Sequence, residues 1–202
     1  LRVSFVLGYW FMKKILGIVV LGLLLSGNAF ADDIGDFQIE GISIGDSALD
    51  HFEKKELKKQ KNEFKSKKYN KYCSNKFETY EGGICFYTKR KDKLFIIESI
   101  AGFQSYPEDI DACYVEQVKI DKELSSLFNN AKRQVDNYKN TADKTGKSTE
   151  RDIIYVLNDG GEVGIACLDY GKKWTKKNNA NDHLQVFVDT KEYANWLRTE
   201  AW

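Results

Sequence analysis

Apolar residues occur in short runs along the chain, often alternating with polar residues, and turn-forming residues separate these runs. A period of two is the signature of a strand with one buried face. Two pairs of runs are joined at residues 82–83 and 158–161, where paired glycines permit the positive φ of a hairpin turn. The pattern predicts strands at 37–44, 77–81, 84–90, 94–103, 151–157, 162–170 and 183–189.

Helical spacing of apolar residues indicates three helices. The first begins at Ser47, with Asp50 three residues later as a capping pair, and follows a sparse apolar stripe of Leu49, Phe52, Leu57 and Phe64. The second is predicted over 109–132, and the third begins after Thr190. The polar stretch 137–150 is predicted to be a loop.

The resulting order is β-α-βββ-α-βββ-α. Hairpins dominate it, and it lacks the strand–helix–strand crossovers that parallel sheets require. We therefore expect an α+β fold, with an antiparallel, hairpin-built sheet and helices packed on one face. The order also contains the same unit twice, one helix followed by three strands, which is consistent with a duplication.

The amino-terminal segment has the three parts of a secretory signal peptide. Met12 is the only methionine and precedes two lysines, the run 15–25 is apolar, and Ala29 and Ala31 supply small residues for cleavage. We expect synthesis to begin at Met12 and cleavage to follow Ala31, which leaves 32–202 as one mature domain. An uncleaved segment would instead anchor the protein in the inner membrane.

Removal of this leader changes the net charge of the chain. Residues 1–31 hold three basic residues and no acid, so the 171 residues that remain carry a formal charge of −2. This balance argues against a broadly basic nucleic-acid binder. No cysteine lies near the cleavage site, so the sequence predicts no lipoprotein anchor. The apolar run 15–25 is too short to span the ~30 Å of a bilayer's hydrocarbon as a helix, so no stable transmembrane anchor is predicted either.

Four cysteines lie in the mature part, and an even number in an exported chain indicates two disulfides. Three pairings are open. We favour Cys113–Cys167, which would join a helix to a strand, and Cys73–Cys85, which would fix the approach to the first hairpin. Four buried free thiols are the alternative.

Two motifs resemble ligand sites without their context. The run 146–149 ends like a phosphate-binding loop, but the first glycine of that motif would fall at Thr141, and a strand rather than a helix follows. The same run lacks the carboxylates of a calcium loop. The chain has only two histidines, so no histidine metal cluster is expected. The sequence predicts no cofactor.

Gly45-Asp46-Ser47 lies between a strand and a helix and resembles the opening block of the GDS-type serine esterases. That resemblance implies Ser47 as nucleophile and His183 as the base. The family's Asp-x-x-His spacing is absent, because position 180 is Ala180, and helix capping is a sufficient alternative role for Ser47.

Residues 53–72 contain nine lysines and three glutamates, a local charge of +6. The run is either a solvated helix face or a contact for an anionic envelope surface or a protein partner. The candidate contact residues are Lys54, Lys55, Lys58, Lys59, Lys61, Lys65, Lys67 and Lys68.

The segment 41–52, GISIGDSALDHF, is similar to the opening of small outer-membrane-assembly lipoproteins. The chain as a whole resembles uncharacterised exported proteins of alphaproteobacterial type. Neither resemblance assigns a functional residue. We expect a soluble periplasmic or secreted domain that binds rather than catalyses, with a serine ester hydrolase using Ser47 as the alternative.

Overall fold

The computed structural model describes residues 34–60, 64–77, 79–140 and 143–202. The predicted leader, its cleavage site and Lys61 lie outside these ranges. Within them, none of the helices combines the length and the apolar character needed to cross a membrane.

The described ranges form four α-helices and ten strands after a short 3-10 turn at Ile34–Asp36. The helices are α1 Ala48–His51, α2 Ile110–Leu127, α3 Lys172–Asn178 and α4 Lys191–Thr199. The strands are β1 Gln38–Ile39, β2 Ile42–Ser43, β3 Lys59–Gln60, β4 Tyr69–Ser74, β5 Ile84–Lys89, β6 Ile97–Ser105, β7 Lys132–Lys139, β8 Thr149–Val156, β9 Glu162–Asp169 and β10 His183–Asp189.

Eight of the strands form one sheet in the order β3-β4-β5-β6-β10-β9-β8-β7, and every neighbouring pair is antiparallel. The expected α+β class with an antiparallel, hairpin-built sheet is confirmed. Helix α2 precedes the meander β7-β8-β9. The short α1 precedes the strands β3 to β6.

One face of the sheet is covered by α2. Its buried residues, among them Ile120 and Leu124, pack with the alternate residues of β9 and β10 that include Ile165 and Val186. Buried Gln117 donates from its side-chain amide to the Arg151 and Ile165 carbonyls at 2.8 and 2.9 Å, so this polar side chain ties the helix to the sheet.

Helix α4 packs near the other end of the sheet, on the opposite face. Trp196 is fully buried, and its ring centroid lies 4.8 Å from that of Tyr69. Tyr193 on the same helix lies 5.1 Å from Tyr87 by the same measure. Tyr87 pairs with Ser99, whose side chain points away from α2, so the two helices bury different faces.

Two disulfides stabilise this arrangement, one between a helix and the sheet and one between neighbouring strands. Cys113 of α2 bonds to Cys167 of β9, and Cys73 of β4 bonds to Cys85, its cross-strand partner in β5. This is the pairing favoured from the sequence. No free cysteine is present in the described ranges.

The expected lysine-rich helix after Ser47 is wrong. Helix α1 ends at His51, and the chain then turns toward β3. The apolar residues of the presumed stripe explain this, because they enter two separate clusters. Phe52 stacks 5.4 Å from Phe86 on the α2 side, whereas Phe64 lies 5.1 Å from Trp196 on the α4 side. One straight helix has a single buried stripe and could not serve both.

Other boundaries also differ. The first predicted strand is a hairpin, β1–β2, in which Glu40 and Gly41 both have positive φ, 56° and 76°. The strand expected at 77–81 forms instead at β4, where Cys73 reaches Cys85. The polar loop expected at 137–150 begins as the end of β7, an exposed strand with no apolar face to reveal it. Helix α3 buries no residue and was not expected.

Candidate functional site

Ser47 occupies the N-cap of α1. Its hydroxyl donates to the Leu94 carbonyl at 2.6 Å and accepts from the Leu49 N–H at 3.2 Å. Both interactions hold the strand-to-helix turn against the start of β6, where Ser47 forms a bridge with Ile96. The Ser47 oxygen thus caps the helix, and its proton is donated to a backbone carbonyl rather than to a base that would activate a nucleophile.

His183 lies at the opposite end of the sheet. It opens β10 and pairs with Ser105, nine residues along the strand from the Ile96 that Ser47 contacts. At about 3.3 Å per residue this separation is ~30 Å. The structure therefore does not bring Ser47 and His183 together. The sheet also lacks the parallel order that the esterase resemblance implies.

The surroundings of His183 are aromatic and structural. Its ring centroid lies 5.6 Å from those of Phe103 and Tyr170, and Nδ1 donates to the Asn181 carbonyl at 3.0 Å. Burial lowers the pKa of this histidine. The other histidine, His51, pairs with Asp46 at 3.1 Å.

In the run 146–149, which resembles the end of a phosphate-binding loop, the polar groups bond to neighbouring protein residues. Ser148 is fully buried, and its hydroxyl donates to the Asp143 carboxylate at 2.7 Å while accepting from the Gly171 N–H at 3.0 Å. Thr145 donates to the same carboxylate through its backbone N–H and its hydroxyl. These bonds make a closed turn. Over the described ranges, no group of three or more His, Cys, Asp or Glu side chains is placed to hold a metal ion.

Of the lysines singled out in the sequence, those that the structure describes lie in β3 or in the segments that directly precede β3 and β4 at the margin of the large sheet. We call this set the basic edge, and its exposed members are Lys54, Lys55, Lys58, Lys59, Lys65 and Lys67. The margin is extended chain and turn rather than helix, because β3 adds to β4 through the pairs Lys59–Tyr72 and Gln60–Lys71. Residues 65 and 66 approach it from the other side, where their N–H groups donate to the Ala201 carbonyl.

Acidic groups neutralise only part of this charge. Lys55 pairs with Glu53 at 2.6 Å, and half-buried Lys68 pairs with Glu192 at 3.2 Å. The remaining exposed lysines of the basic edge form no ion pair with any residue that the structure describes; they are Lys54, Lys58, Lys59, Lys65 and Lys67. Unpaired ammonium groups at one margin create a local positive potential in a chain of near-zero net charge.

A shallow groove of about 510 Å³ borders the basic edge. It is lined by Gln60, Lys71, Cys73 and Asn75. Because Gln60 and Lys71 are cross-strand partners, their side chains lie on the same face of the sheet. An amide donor and an ammonium group beside one groove are suited to an anionic oxygen ligand.

Buried carboxyl groups are the feature that sequence reasoning missed. Asp189 and Glu162 are cross-strand neighbours, exposed by only 4% and 5%. Arg198 of α4 reaches both Glu162 oxygens at 2.7 and 2.9 Å. Burial raises the pKa of Asp189 to about 7, and the nearby Glu162 adds to the shift. The next residue, Thr190, caps α4, and its hydroxyl accepts from the Tyr193 N–H.

A second acidic group lies on β8. Glu150 and Asp152 point to the face away from α2, and burial raises their pKa values to about 7 and about 6. The Tyr138 hydroxyl donates to Asp152 at 2.7 Å. The groove beside the basic edge includes neither carboxyl group, so we assign this pair no binding role.

Protein-family models, curated proteins and solved structures were compared with this chain, and none matches it. Its function therefore has to be inferred from its own residues, and the basic edge with its groove is the surface that carries the clearest chemistry.

Proposed function

We propose that this chain is exported to the periplasm or the cell exterior and acts there as a non-catalytic domain that binds an anionic envelope surface through the basic edge. The two disulfides support an oxidising compartment. The three-part leader of the sequence supports export. The resemblance to exported proteins of alphaproteobacterial type agrees with the same location.

The observation that carries the proposal is the row of exposed lysines with no acidic partner in the described structure. Each basic residue near an anionic membrane contributes about 1 kcal/mol of attraction, and salt screens this attraction within about 10 Å at 0.1 M. Five such residues at one margin would together contribute several kcal/mol of attraction, although the net charge of the whole protein is nearly zero. The described residues of this segment form no helix with an apolar stripe, which favours a contact at the headgroups over insertion.

The groove beside the edge gives the contact a defined point. Here Gln60 and Lys71 would donate hydrogen bonds to a phosphate oxygen, while the exposed lysines lie against neighbouring headgroups. Ser47 and His183 have no part in this activity, because neither lies at the basic edge.

Vesicle sedimentation tests the proposal. The protein should bind vesicles that contain phosphatidylglycerol, should not bind phosphatidylcholine vesicles, and should dissociate as salt is raised. The charge-reversal variant Lys54→Glu/Lys58→Glu/Lys59→Glu should bind at least about 100-fold more weakly, since three contributions of about 1 kcal/mol are lost.

The matched control is Lys173→Glu/Lys176→Glu/Lys177→Glu on α3, which changes net charge equally at another exposed site. This control should retain most of the binding. Equal loss in both variants would show a response to net charge alone, and absence of binding at low salt would reject the anionic surface. Free glycerol phosphate as competitor distinguishes recognition of a single headgroup from adhesion to a charged surface.

A further inference from the structure

Strand β7 forms the other margin of the large sheet and is unusually open. It pairs with β8 along all eight residues without a bulge, and no described strand lies on its outer side. Seven of the eight residues are exposed, including Val135 at 43% and Tyr138 at 45%. Proteins commonly protect such margins with charged side chains, proline, a bulge or a very short strand. Strand β7 has no proline and no bulge and is eight residues long, so its protection rests on its charged side chains, which are Lys132, Arg133, Asp136 and Lys139.

The direction of its free backbone groups follows from the ladder. The Asn140 N–H donates to the Ser148 carbonyl at 2.9 Å, which extends the β7–β8 register by one hydrogen-bonded pair. In antiparallel sheets, hydrogen-bonded pairs alternate with non-bonded ones. The even-numbered residues of β7 therefore bond to β8. The odd-numbered residues direct their N–H and C=O groups outward, and these are Arg133, Val135, Asn137 and Lys139.

A second copy of the same strand is an acceptable partner only in certain registers. Twofold pairing must set odd residues opposite odd residues, since those carry the free backbone groups. A twofold axis at Asp136 would place that carboxylate opposite its own copy and Arg133 opposite Lys139, which opposes like charges. An axis at Gln134 would pair only five residues of the strand.

An axis at Val135 pairs seven residues without opposing like charges. Val135 meets its own copy, and Arg133 meets Asn137. On the other face Gln134 meets Asp136. The remaining pair sets Lys132 opposite Tyr138, which suits an ammonium group over an aromatic ring. Backbone bonds, apolar contact and charge thus agree on one register.

We propose that β7 pairs with β7 of a second copy of this chain about a twofold axis at Val135, so that two eight-stranded sheets join into one of sixteen strands. The contact is small. A single strand pair buries less surface than the ~800 Å² per partner of a standard stable interface. The dissociation constant of the dimer should therefore lie above about 1 µM. This surface lies at the opposite margin from the basic edge and is independent of it.

Sedimentation velocity tests the proposal. The protein is purified from its cells and measured at concentrations from about 10 µM to about 1 mM. The sedimenting mass should rise toward twice the monomer. Val135→Lys places two ammonium groups opposite each other at the axis and should weaken dimerisation at least tenfold. Val115→Lys is the matched control, because Val115 is equally apolar and 58% exposed on α2. It should dimerise like the wild type.

Residue-resolved hydrogen exchange gives a readout that needs no variant. The amides of Arg133, Val135 and Asn137 should become protected as the concentration of the wild type rises, whereas Gln134 and Asp136 should be protected at every concentration by β8. A wild type that stays monomeric at about 1 mM overturns the proposal. So does a dimer that forms without protecting the odd-numbered amides, or one that Val135→Lys leaves intact.

Discussion

Replacing Asp189 with Asn should make the protein more stable at neutral and alkaline pH. Asp189 is buried beside Glu162, and the one nearby guanidinium, that of Arg198, is engaged by both Glu162 oxygens. Burial therefore dominates and raises the pKa of Asp189 to about 7, although a hydrogen bond from Ser99 favours the charged form. Asn has the shape of the protonated acid and carries no charge to bury.

The magnitude follows from proton linkage. In the unfolded chain an aspartate titrates near pH 3.9, about three pKa units below the folded value. Between about pH 4 and pH 7 the folded state retains a proton that the unfolded state releases, so this group lowers the free energy of unfolding as pH rises. At about 1.4 kcal/mol per pKa unit, the wild type loses about 4 kcal/mol across this window through Asp189 alone. The Asn variant loses none of it.

Urea unfolding followed by tryptophan fluorescence, at intervals from pH 4 to pH 8, measures the effect. Trp196 reports directly, since it is fully buried in the cluster that α4 brings to the sheet. The two proteins should be similarly stable near pH 4. Asp189→Asn should be more stable by up to about 4 kcal/mol at pH 8. Taking the difference between the proteins removes the contributions of the titrating groups that do not interact with Asp189.

Asp50→Asn serves as the control for the loss of one carboxylate, because Asp50 is exposed on α1. A variant that is less stable than the wild type at pH 8 would refute the reasoning. That result would mean that the attraction of Arg198 and the hydrogen bond from Ser99 outweigh burial, so that the pKa of Asp189 is not raised in the folded state.

Three further changes test the packing by urea unfolding. Replacing both Cys113 and Cys167 with Ala should cost about 4 kcal/mol, because the bond closes a loop of 54 residues; an unchanged midpoint under non-reducing conditions would show that the bond does not constrain the unfolded chain. Gly102→Ala should cost about 1–3 kcal/mol, since its Cβ would lie 2.6 Å from the Tyr80 ring, and a neutral result would show that the ring shifts freely. Trp196→Ala should cost about 3–5 kcal/mol through the cavity it leaves, whereas a loss below 1 kcal/mol would contradict the burial of α4.

The sequence predicted an element correctly where the apolar residues of one segment pack against a single buried surface. Helix α2 repeats its apolar residues at helical spacing and meets only one face of the sheet, so its position was predicted closely. The strands β8, β9 and β10 were recognisable for the same reason. The disulfide between α2 and β9 followed from those placements, since it required only that each cysteine lie on the inner face of its element.

Sequence reasoning failed where residues close in the chain serve different clusters. Phe52 and Phe64 satisfy a helical period, yet they pack on opposite sides of the sheet, and no local pattern contains that information. The lysines between them were correctly identified as a basic segment but assigned to a helix. Of these, the structure describes Lys54, Lys55, Lys58 and Lys59, which lie in β3 and in the extended chain and turns before it, and three of the four have no acidic partner among the described residues.

By itself the sequence determined the α+β class, the β8–β9 hairpin, the cysteines available for bonding and the concentration of positive charge. Each depends on properties of short segments, such as turn chemistry, alternation and local composition. Tertiary structure alone decided that Asp189 lies buried beside Glu162 and that β7 is left as an open margin. Both depend on which strands become neighbours, and that choice is made by the packing of the whole sheet rather than by any segment within it.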